Sequence, residues 1–491
     1  MVIAPAGCGK TELIADSIRY CKGRQLILTH THAGVDSLRN KFHKKGIQSN
    51  RYNLETIHSF ALHYSVAYPS ISKIPCKQPK SDGDYPKVIE AANVFLKTSL
   101  AKEILLNSYS GIFVDEYQDC TIDQHHLIMK IADILPCRIV GDYLQGIFDF
   151  GDNRIIDWEN DVYSNFKKLD DLKEPHRWKV KNPELGRWLL VVRSCIENKK
   201  PIILSDAPIT WSKQSSSEEN KVLLSLFKAN GSVLVVCAPE NPNKPHSLAE
   251  NQKNRYKTIE PITSDEICKH AKDIESNTGK KRLDSVLRFA YECLTNVVTP
   301  CRYMRNRMVN NQYRPRGEEK KKLHELFSKI ISESDLQSIR DLYNYLIQIY
   351  VPTYRRNQPW NEMKKGLEGV IVGNYEKLED AVWQVRNVYR FVGRKIPNRC
   401  ISRTVLIKGL ECEHGVVIDA DSFKSKNLYV ALTRASNSLS ILSNAPVLIP
   451  EDYRPSCPRC GGKLLPRYNE QSKKSFLGCS RYPECKHTQS L

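Results

Sequence analysis

At 491 residues the chain is long enough for about three domains of roughly 150 residues, each with its own core, which excludes a disulfide-stapled miniprotein. Hydrophobic residues make up 41% and charged residues 26%, close to the globular averages of about 45–50% and 25%, so bulk disorder and collagen-like repeats are excluded too. Lys and Arg number 74 against 55 Asp and Glu, a net charge of +19, enough to attract a polyanion and release its counterions on contact; nucleic acid is the leading partner, and a merely solubilising surface is the alternative.

Residues 1–7 lack a basic region ahead of an apolar core, so they read as a buried strand rather than a signal segment. No apolar run approaches the ~18–20 residues of a membrane helix. Short apolar runs at Val2-Ile3-Ala4, Leu26-Ile27-Leu28, 111–114 and 138–140 alternate with amphipathic segments such as 12–20, the rhythm of a parallel α/β sheet. A small helical insertion is expected over 61–110. Strand-like runs at 232–237, 415–418 and 439–442 predict a second α/β domain interrupted by a polar, basic, helix-patterned stretch over 279–398. Within that stretch, 301–322 holds eight Lys or Arg and two Glu. Tyr303, Tyr313 and the Tyr354-Arg355-Arg356 run before Trp360 set aromatic rings among these charges, giving either a single-strand contact or a solvated helical face. Residues 445–456, with Pro446, Pro450 and Pro455, read as a linker.

Ala4-Pro5-Ala6-Gly7-Cys8-Gly9-Lys10-Thr11 follows a strand and opens a helix, as a phosphate cradle must; an ordinary glycine-rich turn is the alternative. Glycines let backbone N–H groups converge on a phosphate, Lys10 reaches the β- and γ-phosphates, and Thr11 holds Mg²⁺. The run Gly111-Ile112-Phe113-Val114-Asp115-Glu116-Tyr117-Gln118-Asp119 is an apolar strand ending in carboxylates. It sends Asp115 toward the metal and Glu116 toward an attacking water. A further strand ends in Gly141-Asp142-Tyr143-Leu144-Gln145, where Gln145 is placed to report on the γ-phosphate.

These strings resemble the motifs of the UvrD/Rep/PcrA family of superfamily 1A helicases. Thr29-His30-Thr31-His32-Ala33 resembles motif Ia, Thr56-Ile57-His58-Ser59-Phe60 motif Ib and residues 141–150 motif III. Pro175-His176-Arg177 resembles motif IV, Lys408-Gly409-Leu410-Glu411 motif V and Tyr429-Val430-Ala431-Leu432-Thr433-Arg434-Ala435 motif VI. The resemblance implies an α/β fold class: two RecA-like P-loop NTPase domains with helical insertions. On that plan 1–60 and 111–170 form domain 1A, 61–110 insertion 1B, 171–278 and 399–444 domain 2A, and 279–398 insertion 2B. A linker over 445–456 and a ribbon over 457–491 follow.

The resemblance also implies that Arg177 and Arg434 act as arginine fingers from the second α/β domain, and that Glu411 contacts the ribose hydroxyls. His176 stands where the family has an adenine-stacking aromatic. His30, His58, Phe148 and Phe150 are the expected DNA contacts. Gly151 replaces an arginine that follows the motif III aromatic, and Val405 stands near the place of a motif V histidine. The adenine-reading glutamine motif has no counterpart before Ala4, so either the true start lies upstream or base selectivity is loose.

Four of the 16 cysteines fall in the last 35 residues; the remainder follow no interval, which fits a reducing cytoplasm with one metal site. Cys457 and Cys460, then Cys479 and Cys485, form two knuckles suited to tetrahedral Zn²⁺. Their context resembles the C4 zinc ribbon of bacterial type IA topoisomerases. Eight basic and four acidic residues from Glu451 onward, with Tyr468, Phe476 and Tyr482, suggest an accessory single-strand grip; a structural cap is the alternative.

The expected function is an ATP- and Mg²⁺-dependent translocase or helicase moving 3′ to 5′ on single-stranded DNA and at single/double-strand junctions. The rival reading is a DNA-sensing ATPase subunit that gates a partner nuclease in a phage-defence complex of the Gabija kind, with an OLD-family ATPase-nuclease as partner.

Overall fold

The computed structural model describes residues 1–75, 79, 83–147, 154–253, 255–259, 264–308, 314–333, 335–352, 356–392 and 397–491. It divides into two compact units: Met1–Lys77 with Pro86–Tyr256 and Pro397–Leu491, and Gln78–Tyr85 with Lys257–Ile396. Among the described residues no helix is long and apolar enough to cross a membrane.

The larger unit is α/β and contains two parallel sheets. In the first, five strands lie in the order Val2–Ile3, Cys137–Gly141, Gly111–Val114, Gln25–Thr29, Tyr52–Thr56, with Val2 beside Val140 and Leu28 beside both Val114 and Glu55. Their apolar runs are continuous because both faces are covered. Leu26, Leu28, Ile112, Val114 and Ile139 face one core, while Ile27, Phe113 and Val140 face the other, with Ile14 and Ile18 of the helix Lys10–Tyr20. The helices Ile57–Ala67, Asp84–Phe95 and Ser99–Ser108 join the first of these cores through Phe60, Tyr64, Phe95 and Leu105. The expected insertion over 61–110 thus shares its apolar interior with the sheet.

Five strands of this unit form the second sheet, ordered Thr210–Lys213, Ala435–Ser443, Cys412–Val417, Val233–Cys237, Arg399–Arg403; all of their pairings are parallel. Every residue of Val233–Cys237 is buried. The stretch expected as a linker, 445–456, holds the strand Val447–Leu448, antiparallel to Ile202–Ile203, and Ala445, Val447, Leu448 and Ile449 are buried.

The smaller unit is helical. Its helices are Ser264–Ser276, Gly279–Cys293, Val298–Arg307, Glu318–Ser332, Gln337–Tyr350, Asn357–Ile371 and Leu378–Val392. Phe289 and Trp360 stack in its core with ring centroids 6.1 Å apart, and Tyr343 lies 4.6 Å from Trp360.

Candidate functional site

The strand Val2–Ile3 delivers the chain into the phosphate loop, where the Ala4 N–H donates to the Gly141 carbonyl at 2.9 Å. Gly7 and Gly9 have φ of 71° and 89°, a left-handed conformation that glycine adopts without steric cost. A Cβ on Gly7 would also stand 2.5 Å from the Trp178 ring, and one on Gly9 3.3 Å from the His176 imidazole. Gly9 precedes the helix Lys10–Tyr20 with no side-chain cap, so the first-turn amides are left to an anion. Pro5 and Cys8 complete the loop, the Cys8 N–H donating to the Pro5 carbonyl at 3.1 Å. Burial and the neighbouring Asp142 push the Cys8 thiol up to about 11.

Beyond Gly111–Val114 the backbone turns at Glu116, whose φ is 53°. Lys10 Nζ donates to Glu116 Oε2 at 2.5 Å, and Gln118 Nε2 donates to the same oxygen at 2.5 Å. Burial alone would raise the Glu116 carboxyl. The charges of Lys10 and Lys408 and these two hydrogen bonds outweigh it and hold the group down at about 2. Asp115 goes the opposite way, to about 7, because burial and the Glu116 charge exceed the help from Lys10. The Glu116 carboxylate is therefore ionised, and its neighbour is suited to a cation that relieves its burial.

Residues from both sheets meet at this loop. Gln145 Nε2 donates to Asp142 Oδ2 at 2.8 Å, and Arg434 Nη2, from the second sheet's side, donates to Gln145 Oε1 at 3.2 Å. Arg434 is buried and also donates to the carbonyls of Val430 and Leu410. Burial and the Arg177 charge lower it to about 10. Asp142 accepts from Arg193 at 2.6 Å, and the Tyr429 hydroxyl accepts from the Ala6 N–H at 3.2 Å and from Arg193 at 3.3 Å. The Arg177 N–H donates to the Gly7 carbonyl at 3.1 Å. Its guanidinium reaches Glu411 at 2.5 Å and the Thr433 carbonyl at 2.6 Å, while Arg177 Nε is buried without a partner. His176 is exposed, 3.7 Å from Glu174.

These groups fit a magnesium nucleotide. The uncapped amides and Lys10 suit phosphate, Thr11 and Asp115 offer the hard oxygens Mg²⁺ prefers, and the free Arg177 Nε leaves a donor for an anion.

The expected strand-contact residues divide. His30 is half-buried, its Nε2 3.5 Å from the Cys120 thiol. Burial, then the charges of Lys408 and His58, lower its imidazole to about 3. Phe148 and Phe150 lie outside the described residues, as do Gly151, Tyr313, Tyr354 and Arg355. Tyr303 is 43% exposed, with Arg307 5.4 Å and Lys320 5.5 Å from its ring centroid. Trp360, expected among the interleaved rings, is instead fully buried: its position on the helix Asn357–Ile371 faces the apolar interior, where stacking on Phe289 outweighs exposure.

At the C-terminus the strands Leu464–Asn469, Lys474–Cys479 and Thr488–Ser490 form a small antiparallel sheet. The sulfurs of Cys457, Cys460, Cys479 and Cys485 lie within 4.8 Å of one another, with Cys457 to Cys485 at 3.7 Å and Cys460 to Cys479 at 3.3 Å. A tetrahedral zinc with bonds of about 2.3 Å sets its sulfurs about 3.8 Å apart, so four thiolates here fit Zn²⁺. The Arg481 N–H donates to Cys479 Sγ at 3.4 Å, as outer-shell groups do to ligands. The module is packed against residues of and beside the second sheet. Ile449 joins Cys457, Leu464 and Leu477 in one core, Trp211 meets Tyr468 edge-on at 5.6 Å, and Lys213 pairs with Glu470. Tyr482 is 68% exposed.

Sequence reasoning did not assign roles to Trp178, Arg193, Tyr429, Asp119 or Lys408. The last two form an ion pair, with side chains 6% and 7% exposed. Asp119 and Lys408 both stood inside motifs already in view. The signal that was lacking is their meeting, since the two lie 289 positions apart.

A family model described as AAA domain matches residues 1–151, and one described as Topoisomerase DNA binding C4 zinc finger matches residues 455–491. The chain is similar to DNA topoisomerase 1 of Pyrococcus furiosus, 38% identical over 70 residues, which are 13% of this chain and 6% of that protein. It is also similar to the Gabija protein GajB of Bacillus cereus strain VD045, 29% identical over 151 residues, 27% of this chain and 29% of the relative. A solved structure of Pif1 helicase from Bacteroides, in complex with ADP-AlF3 and ssDNA, is 15% identical, covers 51% of this chain and 52% of that one, and gives a TM-score of 0.28. The chain spans less than a third of the length of either curated relative. Residues 1–151 are thus similar to an AAA domain, and ATP with Mg²⁺ is the cofactor there. Residues 455–491 are similar to a topoisomerase-type C4 zinc ribbon, and Zn²⁺ is the cofactor there.

Proposed function

We propose that the protein is a DNA-dependent ATPase that translocates 3′ to 5′ on single-stranded DNA in the manner of the UvrD/Rep family. The observation carrying this reading is that Gln145 and Arg434, from opposite sheets, meet beside the loop that Arg177 also grips. Hydrolysis of the β–γ phosphoanhydride supplies the energy. Lys10 binds the phosphates, Thr11 and Asp115 hold the metal, and Glu116 takes the proton from water. Arg177 and Arg434 add positive charge only while the two sheets stay together, so hydrolysis and separation of the sheets become linked. In this reading domains 1A and 2A carry the two sheets, His30 and His58 face the strand, His176 and Glu411 face the nucleoside, and the ribbon adds a grip.

The test is ATP turnover with and without single-stranded DNA, followed by unwinding of 3′- and 5′-tailed duplexes. DNA stimulation with preference for the 3′ tail supports the reading; absence of stimulation overturns it. A second reading, a DNA-sensing ATPase subunit gating a partner nuclease, is favoured by the similarity to the Gabija protein GajB. Stimulated ATPase without unwinding, together with capture of an ATPase-nuclease of the OLD family, would select it.

A further inference from the structure

The helices Asp84–Phe95 and Ile122–Ala132 line an open cleft of about 640 Å³, and no residue of the phosphate loop lines it. A volume of this order suits a small molecule. The walls are fixed from behind, because Ile89 and Phe95 of one helix and Leu127 and Ile131 of the other are buried in the core of the first sheet.

Asn93 ties the two helices together. Its Nδ2 donates to the Asp123 carbonyl at 3.1 Å, and its Oδ1 accepts from Lys130 Nζ at 2.5 Å. Lys130 is half-buried, so a neutral amide is all that faces its charge. Asp133 stands three residues further on, a spacing at which lysine and aspartate commonly pair. Yet among the described residues neither Lys130 nor Lys97, which lines the same cleft, forms an ion pair. Burial and the charge of Lys97 lower the Lys130 ammonium from its ordinary value. Two ammonium groups that repel each other in a cleft without a counter-ion make a place for an anion.

The rest of the lining decides which anion. Glu90, Asp123 and Asp133 are exposed around the same cleft. A nucleic-acid strand carries a charge at every nucleotide and would set neighbouring phosphates against these carboxylates. A lone phosphate group can meet the lysines alone, while hydroxyl or amino groups on the same molecule donate to the carboxylates. His126, also in the lining, offers a ring face to a base.

We propose that this cleft is a second ligand site, for a small phosphate monoester bearing hydroxyl or amino groups and of nucleoside-monophosphate size, with Lys97 and Lys130 on the phosphate. The proposal does not depend on the ATPase reading above.

The test is calorimetric titration of the full chain with adenosine 5′-monophosphate, inorganic phosphate and a short oligothymidine strand. The variants are Lys97→Gln with Lys130→Gln, Lys97→Gln alone, Lys130→Arg, Glu90→Gln with Asp133→Asn, and Lys10→Ala. Expected is monophosphate binding by wild type that falls about tenfold or more in the double lysine variant and stays within about threefold in Lys130→Arg and Lys10→Ala. Affinity for the strand should be unchanged in the double lysine variant. Lys97 is exposed, so its single variant shows part of the loss even if the double variant fails to fold. Inorganic phosphate should bind wild type more weakly than the monophosphate, and the carboxylate variant should remove that difference. Monophosphate binding that is lost in Lys10→Ala and kept in the lysine variants belongs to the phosphate loop and overturns the proposal. Equal losses of strand and monophosphate in the double lysine variant make the cleft part of a strand track and overturn it too. So does a folded wild-type protein that does not bind the monophosphate.

Discussion

Arg434 donates to the side-chain oxygen of Gln145 at 3.2 Å, so a guanidinium carried by one sheet is bonded to an amide just beyond a strand of the other. Gln145 is in turn fixed by Asp142, and Asp142 by Arg193. If Arg434 is the proposed arginine finger, it acts on the transition state more than on the ground state. Arg434→Lys keeps the charge but loses the planar fork. It should lower kcat by about 10²-fold while the KM for ATP changes by less than about threefold, measured by steady-state turnover. An effect confined to KM would assign Arg434 to ground-state binding.

Lys10 and Glu116 make a separable pair of variants. Lys10→Ala removes the phosphate contact and leaves Glu116 without its counter-charge, so both ATP binding and turnover should fall. Glu116→Gln removes the base but keeps the cradle. It should retain fluorescent ATP-analogue binding within about threefold while turnover drops by about 10²-fold or more. Loss of nucleotide binding in Glu116→Gln would contradict its role as base.

Gly7 provides a packing test. Gly7→Ala meets a φ of 71° and a Trp178 carbon 2.5 Å from the new Cβ, costing about 2–3 kcal/mol from backbone strain and overlap. In a Trp178→Leu background the ring overlap is relieved while the Arg177 Cβ, 2.9 Å from the new Cβ, remains, so the same change should cost about 1 kcal/mol less. A double-mutant cycle by denaturant unfolding reads the difference; additive costs would show that Trp178 does not close over the loop.

His30 predicts an acid sensitivity. Its imidazole is lowered from the usual 6.5 to about 3, so the unfolded chain binds more protons between these values and stability falls as pH drops through that window. At pH 5.5 this term is about 1 kcal/mol. His30→Phe should flatten the decline in thermal midpoint between pH 7 and 5.5, and an unchanged slope would remove His30 as its source.

The zinc ribbon predicts a metal-dependent midpoint. One zinc per chain should be found by metal analysis and be absent after Cys457→Ser with Cys460→Ser. Because Ile449 shares the ribbon's core, metal loss should also lower the unfolding midpoint of the larger unit. If that midpoint stays constant, the contacts of Trp211 and Lys213 with the ribbon contribute no stability.

Much of this was legible in the chain because it is written locally. The strand runs at 26–28 and 111–114, the glycines at 7 and 9 and the cysteine spacing each carry their meaning within a few residues. What was not legible depends on long-range meetings. Trp360 has the composition of an exposed aromatic beside arginines, yet its helical phase turns it inward. Proline in 445–456 suggests a linker, but Val447 and Leu448 between the prolines pair as a strand and Ile449 joins the ribbon's core. Asp119 and Lys408 look like ordinary surface charges until the fold encloses both.

The connectivity of the second sheet has a consequence for synthesis. Its buried strand Val233–Cys237 pairs with Arg399–Arg403 and Cys412–Val417, and neither partner exists until about 160 further residues have been made. At the usual ribosomal rate of 5–20 residues per second, that is roughly 8–30 s. The first sheet, by contrast, has all its strands by Gly141. A nascent chain therefore carries one completed sheet beside an apolar strand with two unpaired edges. The helices of 257–396 are translated during that interval, when the edge is most prone to pair with another chain.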